Sequence, residues 1–67
     1  MAMSRKDYVK FAAVLAGELA LANVYSNKNV RDQVVATLTQ TTRSMADVFE
    51  ADNSNFDRAH FLAAAGL

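Results

Sequence analysis

Residues 11–22 read FAAVLAGELALA, and Glu18 is the only charged side chain among these twelve residues. A membrane-spanning helix needs about 20 apolar residues, so this stretch is too short to cross a bilayer. A helix on the surface of a small protein normally has a polar face opposite its apolar stripe, which this stretch lacks. It therefore predicts a helix covered on more than one side, and the simplest cover is a second copy of the chain.

The chain has 67 residues and forms one domain, residues 1–67. Folding of so short a chain buries only about 60% of the surface that is exposed when it is unfolded. Small domains therefore usually rely on disulfides, a metal or association. There is no Cys, and His60 is the one histidine, so disulfides and the common structural zinc sites are excluded. We predict no metal and no cofactor. Association or tight helix packing is therefore the remaining way to stabilise this small domain.

The charges of the chain balance, with seven basic and seven acidic side chains. The protein as a whole therefore has no field that would attract nucleic-acid phosphates. The lack of Cys and of a recognisable secretory signal predicts a cytoplasmic protein without a membrane partner.

The pattern around the opening stretch predicts a first helix over residues 5–25. Ser4 is its expected N-cap, with Asp7 in the first turn. Gly17 either permits a close helix–helix approach or is merely tolerated. The core-facing apolar residues recur every three or four positions; they are Tyr8, Phe11, Ala12, Leu15, Leu19 and Ala22.

A second helix is predicted over residues 30–51, with Asn29 as its cap. Residues 34–42 are rich in β-branched side chains and could form a strand, but no second strand is available to pair with it. Arg43 and Asp47 are four residues apart and predict a weak surface ion pair. The expected apolar face consists of Val30, Val34, Leu38, Thr41, Met45, Val48 and Phe49.

A short third helix is predicted over about residues 58–65, after a loop at residues 52–55. Asp57 is its expected N-cap, Phe56 and Phe61 have the spacing of a hydrophobic staple, and Gly66 ends the helix. The predicted fold is all-α: an antiparallel helical hairpin plus a short C-terminal helix, with two chains associating into a bundle.

One partner helix can cover only one stripe of the first helix. Other apolar residues on that helix would remain exposed in a monomer and form a substantial patch. We therefore predict a homodimer interface, composed of Val9, Val14, Leu21 and Val24.

Residues with catalytic or metal-binding chemistry are few. His60 is the only candidate general base at neutral pH, and no nucleophile and orienting acid accompany it in the sequence. The acidic residues of the C-terminal half lack the spacing of a calcium loop; they are Asp47, Glu50, Asp52 and Asp57. We predict that the protein is not an enzyme.

The alternative function is a small dimeric DNA-binding regulator. Its basic residues would be those near the helix starts, which an antiparallel hairpin separates by about 30 Å: Arg5, Lys6, Lys10, Lys28 and Arg31. A helix-turn-helix over residues 45–65 would offer only Arg58 and His60 to bases, which is poor for recognition. We do not expect nucleic-acid binding.

The start SRKDY (residues 4–8) and the ending DNSNFDRAHFLAAAG (residues 52–66) resemble small uncharacterised proteins of tailed bacteriophages and prophages. Those proteins open with Ser/Thr-Arg-Lys-Asp-Tyr/Phe and close with Asp-Asn-x-x-Phe-Asp-Arg-x-x-Phe-Leu. The match covers roughly a third of the chain, and Ser54 stands where the family often has Pro.

The resemblance implies a phage accessory protein in the cytoplasm of the bacterial host, with no assigned activity or binding residue. We expect it to act by protein–protein contact, for instance by binding a host protein to inhibit a host process or a defence system.

Overall fold

The computed structural model describes residues 3–67, and these residues form three helices. They are α1 (Arg5–Ala22), α2 (Lys28–Asp52) and α3 (Arg58–Ala64). The predicted all-α fold of two long helices and a short C-terminal one is therefore confirmed. The strand alternative for residues 34–42 is excluded, because this segment lies within α2.

The start of α1 is fixed by the interaction predicted between Ser4 and Asp7. The Asp7 carboxylate accepts hydrogen bonds from the Ser4 N–H at 3.0 Å and from the Ser4 hydroxyl at 3.2 Å. An acidic side chain at this end also interacts favourably with the helix dipole. The helix ends at Ala22, three residues before the predicted end at residue 25.

The predicted cap of α2 was wrong by two residues. Asn27, not Asn29, is the N-cap, and its side-chain oxygen accepts from the backbone N–H groups of Asn29 at 2.9 Å and Val30 at 3.2 Å. Both asparagines suit a cap, but only one can precede the first turn, and Asn29 supplies one of the unpaired N–H groups that the cap must satisfy.

The third helix begins at Arg58 as predicted and ends at Ala64, one residue before the predicted end. The Asp57 carboxylate accepts from the His60 N–H at 3.0 Å. After α3, Gly66 has a φ of +93°. The Gly66 N–H donates to the Ala63 carbonyl at 3.0 Å and the Leu67 N–H donates to the Leu62 carbonyl at 2.9 Å. This pair of hydrogen bonds is the Schellman arrangement, which favours glycine at the left-handed position.

Aromatic rings hold the three helices together. Phe49 of α2 lies 5.1 Å from Tyr8 and 5.4 Å from Phe61 between ring centroids. Phe56, just before α3, lies 4.7 Å from Tyr8 and 5.4 Å from Phe61, so the predicted staple is present. The core therefore lies between the first half of α1, the second half of α2, and α3.

The buried face of α2 differs from the predicted one. Val48 is 64% exposed, and Thr41 is also exposed, whereas Thr42 and Ala46 are buried beside Phe49. Thr42 can be buried because its hydroxyl donates to the Leu38 carbonyl at 2.7 Å and needs no further partner. The prediction placed Thr41 and Val48 on the buried face, so it misplaced this face by about one residue.

The predicted ion pair between Arg43 and Asp47 is not formed. Asp47 instead accepts from Arg58 of α3, with an N–O distance of 2.6 Å. The pair therefore joins two helices rather than adjacent turns of one helix.

The direction of α3 follows from its contacts at both ends. Phe56 packs on Tyr8 near the start of α1, and a Cβ placed on Gly66 would lie 3.1 Å from Leu19 Cδ2. The third helix therefore runs beside α1 in the same direction. This arrangement leaves one side of α1 uncovered and forms a groove between α1 and α3.

Candidate functional site

Over residues 13–21, the side of α1 that points away from α2 and α3 is uncovered and apolar, and the exposed Lys6 and Lys10 lie on the same side in the first turns of the helix. We call this surface the outer face, and it comprises Ala13, Val14, Gly17, Ala20 and Leu21, all of them exposed. Val14 and Leu21 are each 62% exposed. A Cβ placed on Gly17 would meet no atom within 4 Å, so no other helix of this chain approaches there.

The structure brings some of the predicted interface residues together and separates one from the others. Val14 and Leu21 are seven residues apart and lie within about 20° of each other around the helix. Val24 is 78% exposed in the turn that follows, with its N–H donating to the Leu21 carbonyl at 3.1 Å. Val9 is 51% exposed and lies about 140° around α1 from Val14, so it borders the outer face on the side of Ala20 and also lines the groove between α1 and α3.

A groove between α1 and α3 is the second candidate surface. Its volume is about 380 Å³. One wall is a single stripe of α1, and the other is formed by the α2–α3 connection and α3. The lining residues are Arg5, Tyr8, Val9 and Ala12 on the first wall, and Asn53, Asn55, Phe56, Asp57, His60, Phe61 and Ala64 on the second.

Tyr8 is the unusual residue of this groove. Its side chain is only 8% exposed, and its hydroxyl oxygen is buried without a hydrogen-bond partner among the described residues. Buried hydroxyl groups are nearly always hydrogen-bonded. The sequence did not single out this residue, because Tyr8 fits the apolar stripe and its burial depends on contacts with Phe49 of α2 and Phe56 of the α2–α3 connection.

The contacts that the structure shows for His60, Asp57 and Asp47 are structural ones. The N–H of His60 is bound by the Asp57 cap, and Asp47 is paired with Arg58. Within residues 3–67, His, Asp and Glu side chains form no group of three or more that could hold a metal ion.

Two of the basic residues considered for DNA binding are paired with carboxylates. Lys28 lies 3.8 Å from Asp32, and Arg58 is held against Asp47. Arg58 therefore faces α2 rather than projecting freely from the second helix of a helix-turn-helix.

None of the three described helices combines the length and hydropathy that a membrane span requires. Comparisons with known proteins add no relative: no family model matches the chain, and neither the curated proteins nor the solved structures include a significant match.

Proposed function

We propose that this chain is a non-enzymatic phage or prophage accessory protein that acts by protein–protein contact through the outer face of α1. The observation that carries the proposal is the exposure of Val14 and Leu21 on a face whose other members are alanine and glycine. The proposed phage origin rests on the resemblance of residues 4–8 and 52–66 to the two ends of small tailed-bacteriophage and prophage proteins.

The core of a single chain is shallow, which supports a role for association. Four of the eight buried hydrophobic residues are alanines, and no large side chain among the described residues is less than 2% exposed. Burying apolar surface stabilises a protein by about 25 cal/mol per Å². Covering the outer face would therefore add stability that the three helices do not supply to each other.

A second copy of the chain fits this face best. Ala13, Gly17 and Ala20 present little or no side chain, so the backbone of another helix can approach closely. Val14 and Leu21 could then pack beside it, and a two-fold dimer buries the same patch on both partners. A standard interface covers about 800 Å² on each partner, which is about one sixth of the 4715 Å² surface of this chain.

The dimer would leave other surfaces of the molecule free for a target. Binding of a host protein, with inhibition of a host process or a defence system, is the form of action that we propose for a phage accessory protein of this kind.

Sedimentation velocity at micromolar concentration tests the dimer. We expect a species of twice the 7.3 kDa chain mass, and Leu21→Lys should convert it to the monomer because it places a charge in the interface. Val48→Lys is the matched control, since Val48 is 64% exposed on α2 and should leave the dimer intact. A wild-type protein that sediments as a 7.3 kDa monomer would contradict the proposed interface.

Titration of labelled duplex DNA with the protein distinguishes the DNA-binding alternative from the proposed function. The balanced charge and the paired Lys28 and Arg58 lead us to expect no shift at low nanomolar protein. A salt-dependent shift in this range would favour the regulator over an accessory protein acting on protein targets.

A further inference from the structure

The outer face of α1 is divided lengthwise into a side of large residues and a side of small ones. Val14 and Leu21 lie about 50° from Gly17 in one direction around the helix. Ala13 and Ala20 lie about 50° from it in the other direction. A two-fold axis between two copies turns the large side of one onto the small side of the other, whether the two helices run parallel or antiparallel. The face is therefore complementary to itself in shape.

The charges on the same side of α1 distinguish between these two directions. Lys6 and Lys10 are exposed there, and neither belongs to an ion pair within residues 3–67. Asp7 is the one acidic residue of residues 4–12, and its carboxylate is bound by Ser4. In a parallel dimer each lysine faces the same lysine of the partner, so four ammonium groups meet at one end of the interface. Like charges brought together in this way disfavour the parallel direction.

The opposite end of α1 has the complementary property. The last turn of a helix carries the negative end of the helix dipole, and a cation placed there is stabilising. No basic residue is in the last turn of α1, and the residues that follow it, Asn23 and Val24, are exposed. This end of the helix therefore lacks a cation from its own chain and is open to one from a partner.

Distances along the helix match these two ends. Lys10 and Val24 are each seven residues from Gly17, which corresponds to about 10 Å along the axis. When two copies cross at Gly17 and run antiparallel, Lys10 of one copy lies level with the end of the partner's α1. Lys6 is about 16 Å from Gly17 along the axis and lies beyond that end.

We propose that the dimer of this protein is antiparallel, with Gly17 of both copies at the crossing point and Lys10 of each copy at the C-terminal end of the partner's α1. The inference rests on the proposed function, because it assigns a geometry to the interface proposed there. Val14 and Leu21 supply the apolar contact, and Lys10 selects one of the two directions that fit in shape.

Distances between spin labels on the two copies test the direction. The chain has no Cys, so a single label can be attached to Lys6→Cys or to Glu18→Cys and measured by electron paramagnetic resonance. In the antiparallel dimer the two labels at position 6 lie about 33 Å apart along the axis, whereas in a parallel dimer they face each other at less than about 20 Å. Position 18 is next to Gly17, so its two labels lie about 20–25 Å apart in either direction.

The two labelled positions separate failure of the direction from failure of the dimer. The long distance at position 6 together with the short one at position 18 supports the proposal. Short distances at both positions overturn it and leave the outer-face dimer intact. The absence of a distance between copies at position 18 overturns both the direction and the dimer of the proposed function.

Replacing Lys10 gives a result whose sign depends on the direction of the helices. Lys10→Gln should raise the dimer dissociation constant about tenfold in sedimentation equilibrium, because two symmetric contacts between a cation and a helix end are lost. Lys6→Gln is the matched control and should change the constant by less than about threefold, since the effect of the dipole falls off within one turn. In a parallel dimer both substitutions relieve repulsion, so a tighter dimer of Lys10→Gln would overturn the proposal.

Discussion

At the scale of single residues, the two glycines occupy positions with opposite requirements. Gly17 is in the middle of α1 with open space where a Cβ would be, and its backbone is helical. Gly66 has a φ of +93° just after α3, a conformation that other residues adopt only with strain. The sequence left the role of Gly17 open, because only the position of the other helices shows that none approaches it.

Replacing Gly17 by alanine should stabilise the monomer. Alanine in the interior of a helix is favoured over glycine by about 0.5–1 kcal/mol, and no neighbouring atom opposes the added methyl group. Urea unfolding at low protein concentration, where association contributes least, measures the gain. A loss of stability there would mean that another part of the chain packs on Gly17.

Replacing Gly66 by alanine should have the opposite effect. The left-handed backbone costs a non-glycine residue about 1–2 kcal/mol, and the new Cβ would lie 3.1 Å from Leu19 Cδ2. The same urea experiment should show a lower midpoint with an unchanged slope. If Gly66→Ala were as stable as the wild type, the end of α3 would not have the conformation described above.

At the scale of elements, two asparagines near the start of α2 have different roles although their sequence contexts are similar. The Asn27 side chain accepts hydrogen bonds from two backbone N–H groups, whereas Asn29 contributes its own N–H to that cap. Either residue fits the preference for asparagine at a helix start, so sequence alone could not choose between them.

Asn27→Ala should therefore destabilise the protein by about 1 kcal/mol, the usual loss on removing a cap. Asn29→Ala should change stability by only a few tenths of a kcal/mol, because its side chain is exposed and not part of the cap. Thermal unfolding of the two variants side by side makes the comparison. Equal losses would place the start of α2 at the later residue.

The elements also show what a sequence can predict and what it cannot. Three helices were predictable because apolar spacing and cap residues are local signals. The buried face of α2 was not, because burial of Thr42 depends on a hydroxyl that bonds back to Leu38. The ion pair between Asp47 and Arg58 was missed for a related reason: it joins residues of different helices.

At the scale of the whole molecule, the two candidate surfaces differed in how far sequence could predict them. The outer face belongs to a single helix. The composition of residues 11–22 was therefore sufficient to predict that this helix has more apolar surface than one partner helix can cover. The groove joins Arg5 to Ala64, and its existence depends on α3 running beside α1. No local pattern contains that information.

The shape of the molecule also bears on association. Its extents are 40 × 19 × 17 Å and its radius of gyration is 12.8 Å, above the value of about 11 Å that is typical of a compact domain of this length. An elongated chain has more surface for its volume, so a larger part of its apolar surface stays in contact with water.

Association through the outer face should make the melting temperature depend on protein concentration, because the dimer form is favoured by mass action. For a domain of this size, we expect a rise of about 5–10 °C over a hundredfold increase in concentration. Differential scanning calorimetry measures this directly. Leu21→Lys should melt at one temperature throughout the range, whereas Val48→Lys should keep the dependence on concentration. A wild-type melting temperature that stays constant over the same range would show that the three helices are stable alone, and Val14 and Leu21 would then be free to contact a different protein.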